Sequence, residues 1–194
     1  MNLTVLETAE QSFLSLEELK AYLRITHELE DHIIYGCLAS AIEWVENYTG
    51  QVLQKKKVAF TIPFNRRSRE KMGLSMKLWH SSGRSLFFFP VGPLLELGEV
   101  AIISNTGEVQ AVSNNKIHLN QDKNPPFLII DESGGWGFRV QCWVGYEENS
   151  RIPPLLKQSV LQAAACLYEN RGAGATTLAS HCGGMLNVMR QLQF

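Results

Sequence analysis

No Cys-x-x-Cys pair occurs in this sequence. Its four cysteines, Cys37, Cys142, Cys166 and Cys182, stand singly, two in helical patterns and one in a strand pattern, so buried, reduced thiols are expected. The N-terminus lacks a basic stretch followed by an apolar run, and no apolar stretch approaches the roughly 20 residues of a membrane span. A cytosolic protein that touches no membrane is therefore expected. There is no Gly-x-x-x-x-Gly-Lys-Ser/Thr loop and no Gly-x-Ser-x-Gly turn. Gly172-Ala173-Gly174 resembles part of a nucleotide fingerprint, but it follows a helical pattern rather than a strand. The histidines (His27, His32, His80, His118, His181) are scattered, and His181-Cys182 alone is no ligand set. Glu43, Glu46 and Glu169 lie in helical patterns, where support of the helix is the default. Trp136, within Gly134-Gly135-Trp136-Gly137, has the ring to stack on a base or sugar, but reads first as a buried anchor in a glycine turn. No enzyme, cofactor or metal is expected.

What the chain has instead is charge asymmetry and clean helix ends. At 194 residues and 45% hydrophobic content it can bury a core of its own. Between residues 55 and 84 nine cations face the single acid Glu70, a net of +8, which leaves −9 for the rest of a chain whose total is −1. That polarity suits head-to-tail contact between copies or a basic surface offered to phosphate. Lys55, Lys56, Lys57, Arg66, Arg67, Arg69 and Lys71 are its candidate residues.

Ser15 with Glu18 three positions on forms a capping box, and Leu14 and Leu19 sit where a hydrophobic staple belongs. A second helix follows, in which Ile34, Leu38, Ala41, Val45 and Tyr48 make one stripe and Ile33, Cys37, Trp44 and Tyr48 a second beside it. An arc this wide suggests packing on more than one side, including against a neighbouring subunit. Gly50 is placed as the C-terminal cap. A third helix opens at Pro153-Pro154, with Leu156, Val160, Ala163 and Leu167 on one stripe. Its Ala163-Ala164-Ala165 face is thin enough for another backbone to approach. Trp44, Tyr48 and Ala164 are the candidate subunit-interface residues.

Between these helices the period changes to two. Val58, Phe60, Ile62 and Phe64 alternate along a strand that Pro63 places at an edge or ends. Residues 65–85 read as a long loop. Further strands are expected at residues 86–89, 98–103, 108–112, 116–119, 127–130 and 138–144, with Asn105-Thr106-Gly107 as a hairpin turn. Beyond the third helix, residues 172–184 are small and polar and read as a flexible tether. It leads to an apolar docking segment, Met185, Leu186, Val188, Met189, Leu192 and Phe194. The layout is thus an α+β chain, mainly an α-helical bundle with an inserted small antiparallel β-sheet: one domain over residues 1–194, with a β-rich insert at 51–150 and a tether and docking segment at 172–194.

The order of these pieces resembles a known family. Residues 16–25 and 31–50, then Phe88-Phe89-Pro90-Val91-Gly92-Pro93-Leu94 with the Asn105-Thr106-Gly107 hairpin, then Val144-Gly145-Tyr146 and residues 152–171 look like the small head–tail connector (adaptor) proteins of long-tailed bacteriophages, prophages and gene transfer agents. The resemblance spans most of residues 14–171 in the same order. It implies a structural protein forming a ring of about twelve copies by closed cyclic symmetry. That ring would sit beneath the portal, extend the DNA channel with non-specific DNA contact, and offer a surface to the tail-side completion protein. The docking segment would grip the portal. The implied locations are the host bacterial cytoplasm during assembly and the virion head–tail junction. The loop at 65–84 is longer than the family pattern, and residues 185–194 match it loosely. The rival is a non-enzymatic nucleic-acid-binding protein that uses the basic 55–84 segment.

Overall fold

The protein is represented by a computed structural model that describes residues 2–8, 13–63, 79–81, 84–123, 125–132, 135–170, 172 and 175–190. Helices α1 (Leu16–Leu23), α2 (Asp31–Thr49), α3 (Pro154–Glu169) and α4 (Ala175–Leu186) make one compact unit. Strands β1 (Asn2–Thr8), β2 (Lys56–Pro63), β3 (Trp79–Ser81), β4 (Arg84–Phe88), β5 (Leu94–Ile103), β6 (Val109–Ala111), β7 (Ile117–Asn120), β8 (Phe127–Ile130) and β9 (Gly137–Val144) make the other.

In the helical unit the end signals act as expected. The Ser15 hydroxyl accepts from the Glu18 N–H at 3.1 Å, and the Glu18 carboxylate accepts from the Ser15 N–H at 2.8 Å, closing the capping box. Leu14 and Leu19 are both buried beneath it. Gly50 adopts φ 70°, a left-handed cap that glycine enters without steric cost, and donates to the Glu46 carbonyl. The buried stripe of α2 is Ile34, Leu38, Ala41, Val45 and Thr49, and that of α3 includes Leu156, Val160, Ala163 and Ala164. The two helices pack on each other. Thr49 is accommodated in the core because its hydroxyl donates to the Val45 carbonyl at 2.7 Å.

The stretch read as a tether is helical over Ala175–Leu186. Leu178, Cys182 and Leu186 recur every four residues, and all three are buried against the core. This stripe outweighs the small, polar composition around it. Gly183, which looked like a linker glycine, lies where a Cβ would come within 3.0 Å of the Tyr48 hydroxyl.

The β unit holds two antiparallel sheets, of order β1-β2-β9-β5-β6 and β3-β4-β8-β7. Period-two alternation puts Val58, Phe60 and Ile62 of β2 opposite Cys142, Val140 and Phe138 of β9, all buried. Phe87 of β4 pairs with Leu128 of β8. Phe60 meets Phe87 and Phe89 at centroid distances of 5.6 and 6.1 Å, so aromatic side chains of both sheets share one core.

Two expectations are corrected here. The chain is not mainly a helical bundle: its described residues are 38% helical and 34% strand, in two sheets rather than one small insert. The cause is that the strand-like middle buries an aromatic core of its own, and so does not serve as a small appendage to the helices. Second, of the two alternatives for β2 the edge position is excluded, because β1 pairs along it from Asn2↔Thr61 to Thr8↔Lys56, and the ending at Pro63 holds. Phe64 lies outside the described residues.

Candidate functional site

The chemistry-bearing side chains are engaged in structure. Burial pushes the Cys142 thiol up to about 12, and raises Cys182 as well, where the neighbouring Cys166 adds to the effect. Such thiols are poor nucleophiles at neutral pH. Burial also raises Tyr146, whose hydroxyl donates to Gln51 Oε1 at 2.8 Å. Among the described residues, no three of His, Cys, Asp and Glu gather in a way that could hold a metal ion. None of the described helices is long and apolar enough to cross a membrane.

The three candidate interface residues lie within or against the helical core. Ala164 is fully buried. Trp44 and Tyr48 stack at 5.1 Å, and the Tyr48 hydroxyl donates to Asn187 Oδ1 at 2.9 Å. The Arg190 guanidinium stands 5.5 Å from the Tyr48 ring. The Tyr48 end of the second stripe therefore faces α4 and the residues that follow it in the same chain. Of the docking segment, Leu186 is buried, Met189 packs on the core with its carbonyl accepting from Gln51 Nε2 at 2.5 Å, and Met185 is half-buried. Val188 is 83% exposed. Leu192 and Phe194 lie outside the described residues.

The basic candidates divide the same way. Lys55 and Lys57 place their ammonium groups 5.3 and 5.7 Å from the Trp143 ring, and Lys57 also pairs with Glu7 at 3.2 Å. Lys56 sits in β2 opposite Val144. Arg84, the last cation of the basic stretch, pairs with Asp131 at 2.8 Å. Arg66, Arg67, Arg69 and Lys71 lie outside the described residues.

Sequence reasoning missed the exposed apolar edges. β1 was not anticipated, and its Leu3, Val5 and Leu6 are exposed. The two-residue spacing of Leu3 and Val5 was the available signal. Trp136 is not a buried anchor but 49% exposed.

Comparison with known proteins supplies the context for these surfaces. Residues 13–71, which hold α1, α2 and β2, match the family model described as phage gp6-like head-tail connector protein. Over those residues the chain is similar to phage head–tail connectors. The resemblance read from the order of its helices and strands is thereby upheld. No curated protein matches the chain. Among solved structures, it is similar to a chain in the neck of an empty gene transfer agent (GTA) particle computed with C6 symmetry, at TM-score 0.73 and 19% identity. It is also similar to a chain of the virion of a native GTA particle, at 0.72 and 20%, and to one in the neck of a native GTA particle computed with C12 symmetry, at 0.72 and 18%. Each alignment covers 100% of this chain and 97% of the other. The fold likeness to these structures thus extends well beyond the residues that the family model matches.

Proposed function

We propose that this protein is a structural head–tail connector that forms a closed ring between portal and tail and extends the DNA channel. The observation that carries this reading is the match of residues 13–71 to the connector family, which falls on the capping box, the long helix and its Gly50 stop. Two further facts support it. The fold likeness runs the length of the chain, and two of the similar structures are necks computed with C6 and C12 symmetry. The partners in this reading are further copies of the chain, the portal protein, a tail-side completion protein and, non-specifically, genomic DNA. The site of action is the virion head–tail junction after assembly in the host bacterial cytoplasm. Surfaces rather than a pocket carry such a role, in keeping with thiols held protonated by burial.

The test is assembly. Purified protein should form closed cyclic oligomers at high concentration or on purified portal, seen by light scattering and electron microscopy. Persistent monomers under both conditions refute the connector reading.

A further inference from the structure

Past Leu186, where α4 ends, residues 187–190 are tied to the C-terminal end of α2 by side chains. The Tyr48 hydroxyl donates to Asn187 Oδ1 at 2.9 Å, and the Arg190 guanidinium lies 5.5 Å from the Tyr48 ring. Between these two ties, the Met189 carbonyl accepts from Gln51 Nε2 at 2.5 Å. Gln51 is itself held, because the Tyr146 hydroxyl donates to its Oε1 at 2.8 Å. A carbonyl only accepts, so Gln51 must turn its NH2 group to Met189, which leaves Oε1 for the Tyr146 hydroxyl. The backbone N–H groups of Asn187 and Met189 bond back to the Gly183 and Leu186 carbonyls of α4, so they do not tie the segment to α2. Of its apolar side chains, Val188 is 83% exposed and Met189 is half-buried against the core. All of these residues belong to the helical unit.

We propose that residues 187–190 form a strap that opens without unfolding the helices, with Gln51 and Tyr48 as the positioning residues that keep it shut and Tyr146 acting through Gln51. The proposal stands on these contacts alone and does not depend on the connector reading. The sizes of the two openings argue for it. Opening the strap breaks two side-chain hydrogen bonds, one cation–π contact and the partial burial of one methionine. Unfolding α4 would in addition bring Leu178, Cys182 and Leu186 out of the core. A segment with so few buried contacts belongs at the low end of local opening free energies, and the loss of any one tie shifts its open fraction directly. What opening changes is exposure. Shut, the segment offers Val188 to solvent; open, it offers Met189 as well and uncovers the Gln51 amide.

Hydrogen exchange of the full chain tests this. In wild type the Met189 amide should exchange at a rate nearly independent of urea below the unfolding transition, because the strap exposes little surface when it opens. Exchange of the buried Cys182 amide in α4 should instead rise with urea. Gln51→Ala and Tyr48→Phe should each speed Met189 exchange about fivefold, the equilibrium effect of one net hydrogen bond, and together about twenty-five-fold. Tyr146→Phe should speed it in wild type and leave it unchanged in the Gln51→Ala background, a dependence that a merely structural role would not produce. Circular dichroism checks that each variant is folded, and Tyr48→Phe, which removes a single oxygen, carries the test if Gln51→Ala does not fold. Met189 exchange that rises with urea in parallel with that of Cys182 overturns the strap. Wild-type Met189 exchange in folded Gln51→Ala or Tyr48→Phe overturns the role given to that residue. An equal effect of Tyr146→Phe with and without Gln51 overturns the relay through it.

Discussion

Replacing Gly183 by alanine sets two effects of similar size against each other. Within a helix, alanine is favoured over glycine by roughly 0.5–1 kcal/mol, because glycine loses more backbone freedom on folding. Against that, the new methyl would stand 3.0 Å from the Tyr48 hydroxyl and 3.5 Å from its Cζ. The hydroxyl must move by a few tenths of an ångström, which strains its 2.9 Å hydrogen bond to Asn187. An exposed neutral bond of this kind contributes about 0.5–1.5 kcal/mol. The expected net effect of Gly183→Ala in wild type is therefore close to zero. In a Tyr48→Phe background the nearest atom recedes to 3.5 Å, ordinary contact, and the same substitution should stabilise by about 1 kcal/mol. Urea titrations of wild type, both single variants and the double variant give the coupling energy, expected near 1 kcal/mol. If Gly183→Ala has the same effect in both backgrounds, close packing against Tyr48 is not why glycine occupies this position.

Three further outcomes follow from particular residues. Leu38→Ala empties a fully packed position on the buried stripe of α2 and should cost roughly 2–5 kcal/mol in chemical denaturation. Cys142, held at about 12 against an ordinary 9.0, should resist alkylation in the native protein at pH 8 and react on unfolding; because its folded value is raised, the stability it contributes is intact below pH 9 and is lost as pH rises from 9 toward 12, which denaturation midpoints across that window would show. Changing Arg66, Arg67 and Arg69 together to glutamine should leave the log–log salt slope of DNA binding by the isolated protein nearly unchanged; a flattening by roughly 2–3 units, three phosphate contacts' worth, would instead favour the nucleic-acid reading.

Local signals were legible wherever one residue decides one local geometry. Ser15 and Glu18 closed their box, Gly50 capped α2, Pro154 opened α3, and the strands at β8 and β9 fell within a residue of their alternating patterns. The misreadings concern segments whose structure is set at a distance. Thr176, Thr177, Ser180, Gly183 and Gly184 have poor helix propensity, yet Leu178, Cys182 and Leu186 fold them into α4 because each is buried on arrival at the core. The glycines that suggested flexibility serve close packing at Gly183 instead. In the same way, the size of the β unit was underestimated because Phe60, Phe87 and Phe89 come from separate strands and only their meeting makes a core.

Candidate contact residues were harder still, since exposure is a tertiary property that residue type does not report. Tyr48 lay on an apolar stripe and suggested a partner; its partners are Asn187 and Arg190 of the same chain. Trp136 suggested a buried anchor; the glycines beside it bring the backbone so close to Ile103 and Ile62 that its turn is fixed while its side chain stays half in solvent. Leu3 and Val5 make the same point at the β1 edge. Their alternation matches that of buried Val58 and Phe60, and only the order of strands in the sheet reveals that β1 is the outermost. The physical distinction between core and exposed surface in this protein is therefore topological: similar side-chain patterns are core at β2 and exposed at β1.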